Sequence, residues 1–239
     1  MKQHEAVIQT LEKLGGQATL AQLYIEVMKI KDCEWKTKTP FASIRRIVQV
    51  RPEIFKVRPG LWALRTYQKR LDLPEETARP ERESEQSHAY FQGLLVTIGN
   101  LRGFSTFIPN QDRNKIFIDK PLDTIRSLQV IPNFSHEPFV RRSQTIDVIW
   151  FNQRQMPDSF FEVEHSTDVQ NSLLKFYDLR DFYTRMVIVS HESRKREYEQ
   201  KIHYDAFGEI LERVHFLGYN TLVKQYELEL LKAEPGFTL

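Results

Sequence analysis

Apolar positions recur at helical spacing through the first fifty residues of the chain and then switch to short runs bounded by turns. EAVIQTLEKLGG carries Val7, Leu11 and Leu14 on one stripe and stops at Gly15-Gly16. TLAQLYIEVMKI has Thr19 as candidate N-cap and Leu20, Leu23, Val27 and Ile30 on one face. KTPFASIRRIVQV opens with Thr39 as N-cap and Pro40 at the first helical position. IFKVRPGLWALR then reads as strand, Pro59-Gly60 turn, strand. A polar, proline-containing stretch follows at 67–83, with almost no large apolar residue after Leu73, and reads as a linker.

A second periodic block begins near Ser84. SHAYFQGLLVTIGNLRG predicts a helix with Tyr90 or Phe91, Leu94, Leu95, Ile98 and Leu101 toward a core. Strands are expected at 104–109, 145–151 and 159–166, and a short one at Lys115–Ile118. Residues 168–184 predict a helix and MVIVS (186–190) a short, wholly apolar strand of the kind found in the middle of a sheet. A charged helix (192–201), a strand near VHFLG and more helix complete the chain; residues 110–144 show no clear period. The fold class is therefore α/β (α+β overall): a winged helix-turn-helix at 1–66, the linker, and a mixed sheet flanked by helices at 84–239.

Charge changes this picture more than composition does. Residues 1–70 carry 14 Lys/Arg against 6 Asp/Glu, a net of +8, whereas residues 88–239 carry 18 against 20, a net of −2. A basic first module beside a mildly acidic second one implies a polyanionic partner for the first, here double-stranded DNA. Its candidate contacts are Lys36, Lys38, Ser43, Arg45 and Arg46 at or near the third helix, and Lys56 and Arg58 on the hairpin; the bland alternative is a solvated basic face on a protein-interaction module. The single cysteine, Cys33, reads as a bystander and fits a cytoplasmic protein. No apolar run approaches the ~20 residues that span a bilayer, so no membrane partner is expected.

The chemistry concentrates in SFFEVEHS. A strand puts residues two apart on one face, so Glu162 and Glu164 stand side by side in a segment built for burial. With the 145–151 and 159–166 strands paired about a turn between Gln155 and Met156, Asp147 falls opposite Glu164, with Glu162 on the diagonal about 7–8 Å away. Three converging carboxylates repel one another, and a hard dication relieves that repulsion; carboxylate oxygens suit Mg²⁺, with Mn²⁺ as substitute. Such a site acts on a phosphodiester. A half-exposed hairpin with solvated charges is the alternative, and it fits poorly with Val148, Trp150, Phe160, Phe161 and Val163 around the acids. No phosphate-loop, dinucleotide, nucleophile-elbow or zinc-protease motif is present.

Residues 4–66 resemble the HARE-type helix-turn-helix domain through AVIQTLEKLGG, the TPFASIRRIV helix and the RPGLWAL hairpin. That family is a DNA-binding winged helix found fused to restriction-type nucleases and chromatin proteins. Residues 88–190 resemble the PD-(D/E)XK nuclease superfamily, whose order is helix–strand–strand–strand–helix–strand. The resemblance implies Asp147 and Glu162 as metal ligands with the Val163 carbonyl as third contact, and Glu164 at the lysine position, orienting or deprotonating the attacking water. Ile146 stands where the family places proline. Accessory residues are His88 and Gln92 from the first helix, equally read as a solvated helix start, and Lys175, a replacement for the missing lysine or an exposed helix lysine. His165 reads as packing against this shell. The implied activity is a Mg²⁺-dependent DNA endonuclease of restriction type, with a homodimer and sensitivity to base modification among the expectations. The alternative is a DNA-binding regulator or scaffold whose nuclease-like domain is inactive.

Overall fold

The computed structural model describes residues 1–71, 80–165 and 168–235. The chain divides into two compact units, Met1–Glu83 with Glu227–Leu239, and Ser84–Tyr226.

The first unit holds α1 (Gln3–Lys13), β1 (Gln17–Thr19), α2 (Leu20–Met28), α3 (Pro40–Val50), β2 (Ile54–Arg58) and β3 (Leu61–Leu64). Thr19 and Gln22 close a reciprocal capping box, the Thr19 amide donating to Gln22 Oε1 (2.8 Å) and the Gln22 amide to Thr19 Oγ1 (3.3 Å). Thr39 occupies the N-cap of α3 but makes no side-chain cap bond there. The three strands form an antiparallel sheet in the order β1-β3-β2, so the hairpin gains a third strand absent from the sequence reading. β1 is only three residues long and fully buried, too short to show a period of two. Val7, Leu11, Leu23, Val27, Ile44 and Val48 meet in one core, and Leu231 packs against it from the end of the chain. Glu234 pairs with Lys29 (3.3 Å) and Glu227 with Arg45 (3.5 Å). The second module was expected to run to residue 239; the compact unit ends at Tyr226, and Leu231, partly buried, packs against the first core.

The expected linker lies largely at 72–79, outside the described residues, and its last residues already belong to α4 (Pro80–Leu101). The chain continues with β4 (Ser105–Phe107), β5 (Ile116–Phe117), β6 (Lys120–Pro121), α5 (Glu137–Ser143), β7 (Val148–Phe151), β8 (Pro157–Glu164), α6 (Val169–Asp178), β9 (Arg185–Ser190), α7 (Lys195–Ile202) and β10 (Val214–Gly218), all in the second unit, and with α8 (Tyr219–Ala233), whose residues from Glu227 on belong to the first. Five strands form a mixed sheet, β10-β9-β8-β7-β4, parallel at β10–β9 and β9–β8 and antiparallel at β8–β7 and β7–β4. The parallel β8–β9 pair requires a crossover, which α6 supplies. Beneath it, Phe151, Phe160, Leu173, Phe176, Met186 and Ile188 form the core.

From Ser87 on, α4 is largely buried, with Tyr90, Phe91, Leu94, Leu95 and Ile98 all nearly inaccessible. Its glycines permit that depth. A Cβ at Gly93 would lie 2.2 Å from the Phe117 ring, and one at Gly99 would lie 2.6 Å from Thr106 and Trp150. Trp150 in turn donates its Nε1–H to the Leu95 carbonyl (3.1 Å), tying β7 to the helix.

The hairpin register corrects the expected one. Val148 faces Phe161 and Trp150 faces Ser159. One step further along the ladder, Asp147 faces Glu162, not Glu164. The turn explains the difference: Asn152 accepts from the Gln155 amide and donates to the Met156 carbonyl (2.9 Å each), with Gln155 left-handed at φ 59°. A bulge then separates the Phe151–Pro157 and Trp150–Ser159 pairs, where proline has no N–H to give. The net slip is two residues, so all three acids keep one face.

Candidate active site

Asp147 sits at the mouth of β7, just before its first ladder residue. Its Oδ2 accepts the Val163 amide (2.7 Å), and its own amide donates to Glu162 Oε1 (3.3 Å). Val163 thus meets Asp147 through its N–H.

Glu162 and Glu164 are 2% and 4% exposed on β8. Two groups on one face of α6 answer them. Lys175 donates from Nζ to Glu162 Oε2 (2.8 Å) and to the Thr145 carbonyl (2.9 Å). Ser172, one turn earlier, lies against Glu162 Oε2 (3.1 Å) and against Glu164 Oε1. Burial, followed by the negative charge of Asp147, pushes the Glu162 carboxyl well above its usual range, and Lys175 opposes that push. For Lys175, burial favours the neutral amine, but Glu162 and Asp147 outweigh it and raise the ammonium's pKa.

The Glu164 carbonyl accepts from Ser190 Oγ (2.6 Å) and from the Tyr219 hydroxyl (2.9 Å). Tyr219 stacks on Phe91 at 3.6 Å between centroids and lies 3.3 Å from His165 Nδ1. Burial raises the Tyr219 hydroxyl's pKa, so it stays protonated and keeps donating. His165 supports this shell from outside.

On the other side of Asp147, α4 contributes His88 and Gln92, one turn apart. His88 Nε2 lies 3.5 Å from Asp147 Oδ1. Burial favours neutral imidazole there, but the Asp147 carboxylate prevails and raises the pKa of His88. Gln92 Nε2 donates to Asp112 Oδ2 (2.8 Å) and to the Asp147 carbonyl (3.1 Å). Asp112 in turn receives Lys115 Nζ at 2.7 Å.

Among the described residues, the group whose potential metal-ligating atoms lie mutually within 4.8 Å is His88, Asp112 and Asp147. The expected trio of Asp147, Glu162 and Glu164 is not the group that meets this criterion among the described residues. Lys175 and Ser172 hold Glu162 Oε2 and Glu164 Oε1 toward α6. Asp112, Ser172 and Tyr219 were missed in the sequence. Asp112 lies in the aperiodic loop, and Tyr219 is remote in sequence. Ser172 left a legible signal: it precedes Lys175 by three, the spacing that puts two residues on one helical face.

A cleft of about 390 Å³ is lined by Asn110, Gln111, Gln129, Arg141, Gln144 and Thr145. Arg141 pairs with Glu137, and Arg142 with Asp178 (2.7 Å). In the first unit, Lys36, Lys38, Arg46 and Lys56 are exposed, and Ser43 and Arg58 are half-buried. Arg45 is engaged within the unit, donating from Nε to the Tyr24 hydroxyl (3.2 Å) besides pairing with Glu227. None of the described helices is long and apolar enough to cross a membrane.

The family described as the type II restriction enzyme NmeDI C-terminal domain matches residues 72–234. The type II restriction enzyme NmeDI of Neisseria meningitidis serogroup C is 26% identical over 170 residues, covering 66% of this chain and 47% of that protein. The chain thus spans about half the length of this curated relative. No solved structure matches. The match covers more than half of the chain and includes every residue of the site just described, so the chain belongs to the NmeDI C-terminal domain family.

Proposed function

We propose that the chain is a metal-dependent DNA endonuclease of restriction type, with its active site at Asp147, Glu162 and Lys175. The observation that carries this is their convergence: two acids face each other across a hairpin, and a lysine from the next helix lies 2.8 Å from the second acid. Acid, acid and lysine are the three groups of the PD-(D/E)XK pattern, with the lysine drawn from α6 instead of β8. The printed name of the NmeDI relative supports the restriction class.

The donor set fits a dication. Asp147 offers a carboxylate beside other potential ligands, and the fully buried Gln92 leaves its Oε1 without a partner. A bound dication would supply a nucleophilic water at neutral pH and charge neutralisation at the scissile phosphate. Asp147 would be its principal carboxylate. Lys175 holds Glu162 in place and keeps a cation close to where the phosphate charge develops. Glu164, fixed by Ser172 and through its carbonyl by Tyr219, is positioned to orient the attacking water. The amide-rich cleft offers Asn, Gln and Arg groups of the kind that read base edges. The first unit reads as a winged helix-turn-helix whose Lys36, Lys38, Arg46 and Lys56 contact phosphates. Cutting both strands calls for two copies of the site, hence a homodimer on DNA.

The test is plasmid cleavage by the whole chain with Mg²⁺ or Mn²⁺, on methylated and unmethylated DNA, comparing wild type with Asp147→Asn and Glu162→Gln. Wild-type cutting that both variants lose supports the proposal. Binding without cleavage under either metal would overturn it in favour of a DNA-binding scaffold.

A further inference from the structure

Asp147 presents its two oxygens to different neighbours: Oδ2 to the Val163 amide and Oδ1 to His88 Nε2. On the Oδ1 side stand an imidazole, a second carboxylate from Asp112 and the Gln92 side chain. All three potential ligand atoms of His88, Asp112 and Asp147 lie within 4.8 Å of one another. Atoms bound about 2.1 Å from one ion stand roughly 3–4 Å apart, so small side-chain adjustments close this set on a single cation.

A salt-bridge cluster needs no ion, and Lys115 on Asp112 is part of one. Gln92 is the independent observation against that being all. Its side chain is wholly buried between two of the acids, and both donor directions are used, one by Asp112 and one by the Asp147 carbonyl. That fixes the amide orientation. Its carbonyl oxygen is then buried with no donor, which is unfavourable unless something fills the place. An oxygen that can only accept, on the same amide whose nitrogen reaches Asp112 and the Asp147 carbonyl, leaves a place that a cation would fill.

We propose that His88 Nε2, Asp112 and Asp147 Oδ1, together with the Gln92 amide oxygen, form a binding site for a transition-metal dication of the Mn²⁺ class. This deepens the nuclease reading and rests on it for the ion's use, but binding is measurable apart from cleavage. It places the ion on the α4 side of Asp147, with Glu164 outside its ligand set. It also sets metal preference. Mg²⁺ takes oxygen ligands and keeps several waters, whereas imidazole suits first-row transition metals. Lys115 competes with the ion for Asp112, and its release on binding would leave an ammonium free for a DNA phosphate.

The experiment is calorimetric titration of the whole chain with Mn²⁺ and with Mg²⁺, without DNA, and pulsed electron paramagnetic resonance of the bound Mn²⁺. Wild type is expected to bind Mn²⁺ at least about tenfold more tightly than Mg²⁺ and to show nitrogen modulation from a coordinated imidazole. His88→Ala and Asp112→Asn should each weaken Mn²⁺ by about tenfold or more, the former with loss of the modulation. Lys115→Ala should tighten Mn²⁺ binding, an effect that loss of a merely structural ion pair does not produce. Melting curves verify folding, and His88→Gln serves as the gentler variant if His88→Ala melts early. Equal affinity of wild type, His88→Ala and Asp112→Asn for Mn²⁺, no Mn²⁺ binding, or bound Mn²⁺ without nitrogen modulation overturns the site. Plasmid cutting by wild type in any of those cases leaves the nuclease reading standing, so the two failures are separable.

Discussion

The two sides of Asp147 are built on opposite principles. Toward β8 and α6 the acids are held by protein donors: Glu162 has Lys175 and Ser172, and Glu164 has Ser172 at its side chain and Tyr219 and Ser190 at its carbonyl. Toward α4 and the loop after β4 each acid has a basic partner, His88 on Asp147 and Lys115 on Asp112, yet Gln92 Oε1 is buried and unpartnered. A buried polar network whose members are all paired fixes geometry, whereas an orphaned buried acceptor leaves a place for a ligand. The difference teaches where a ligand would be accommodated: on the α4 side of Asp147.

Breaking Asp147, the residue both sides share, should have the largest effect. Asp147→Asn keeps an acceptor for the Val163 amide, so the fold should survive while cleavage falls by about a thousandfold or more, read from plasmid nicking rates. Next comes the closed side. Lys175→Met leaves Glu162 uncompensated and should cost about 3 kcal/mol in urea denaturation at neutral pH. The loss should depend on pH. Glu162's folded pKa lies above its unfolded value of about 4.3, so between those two pKa values the native state holds a proton that the unfolded chain has lost. Stability therefore falls as pH rises through that window. Removing Lys175 should steepen the fall, and Lys175→Met should approach wild-type stability as Glu162 becomes protonated in acid.

Smaller effects sharpen the contrast. Ser172→Ala removes a hydroxyl that touches both glutamates and should cost about 2 kcal/mol. Tyr219→Phe leaves Ser190 on the Glu164 carbonyl and should cost about 1 kcal/mol by thermal melting. Away from the site, Lys56→Ala should leave cleavage chemistry intact and lower the salt dependence of DNA affinity by about one phosphate contact.

What the sequence made legible follows from periodicity. The mixed sheet and the order of α4, β4, β7, β8, α6 and β9 were readable because their apolar runs are long or punctuated by turns. The facing acids were readable too, since parity survives a two-residue slip. Their exact partner was not, because the slip arises in the left-handed Gln155 turn and in a bulge at Pro157, neither of which alters the apolar pattern. Asp112 was illegible for a different reason: it reaches the site from a loop whose placement depends on Gln92, twenty residues earlier. Arg45 shows the limit of charge counting, since a basic residue on a candidate recognition helix is turned to Tyr24 and Glu227.

The most direct measurement is anomalous scattering from a crystal of the whole chain soaked in Mn²⁺. A manganese peak within about 2.2 Å of an Asp147 carboxylate oxygen is the predicted result. Saturating Mn²⁺ with no peak at Asp147 would contradict the account, because the residue on which both sides of the site depend would then hold no ion.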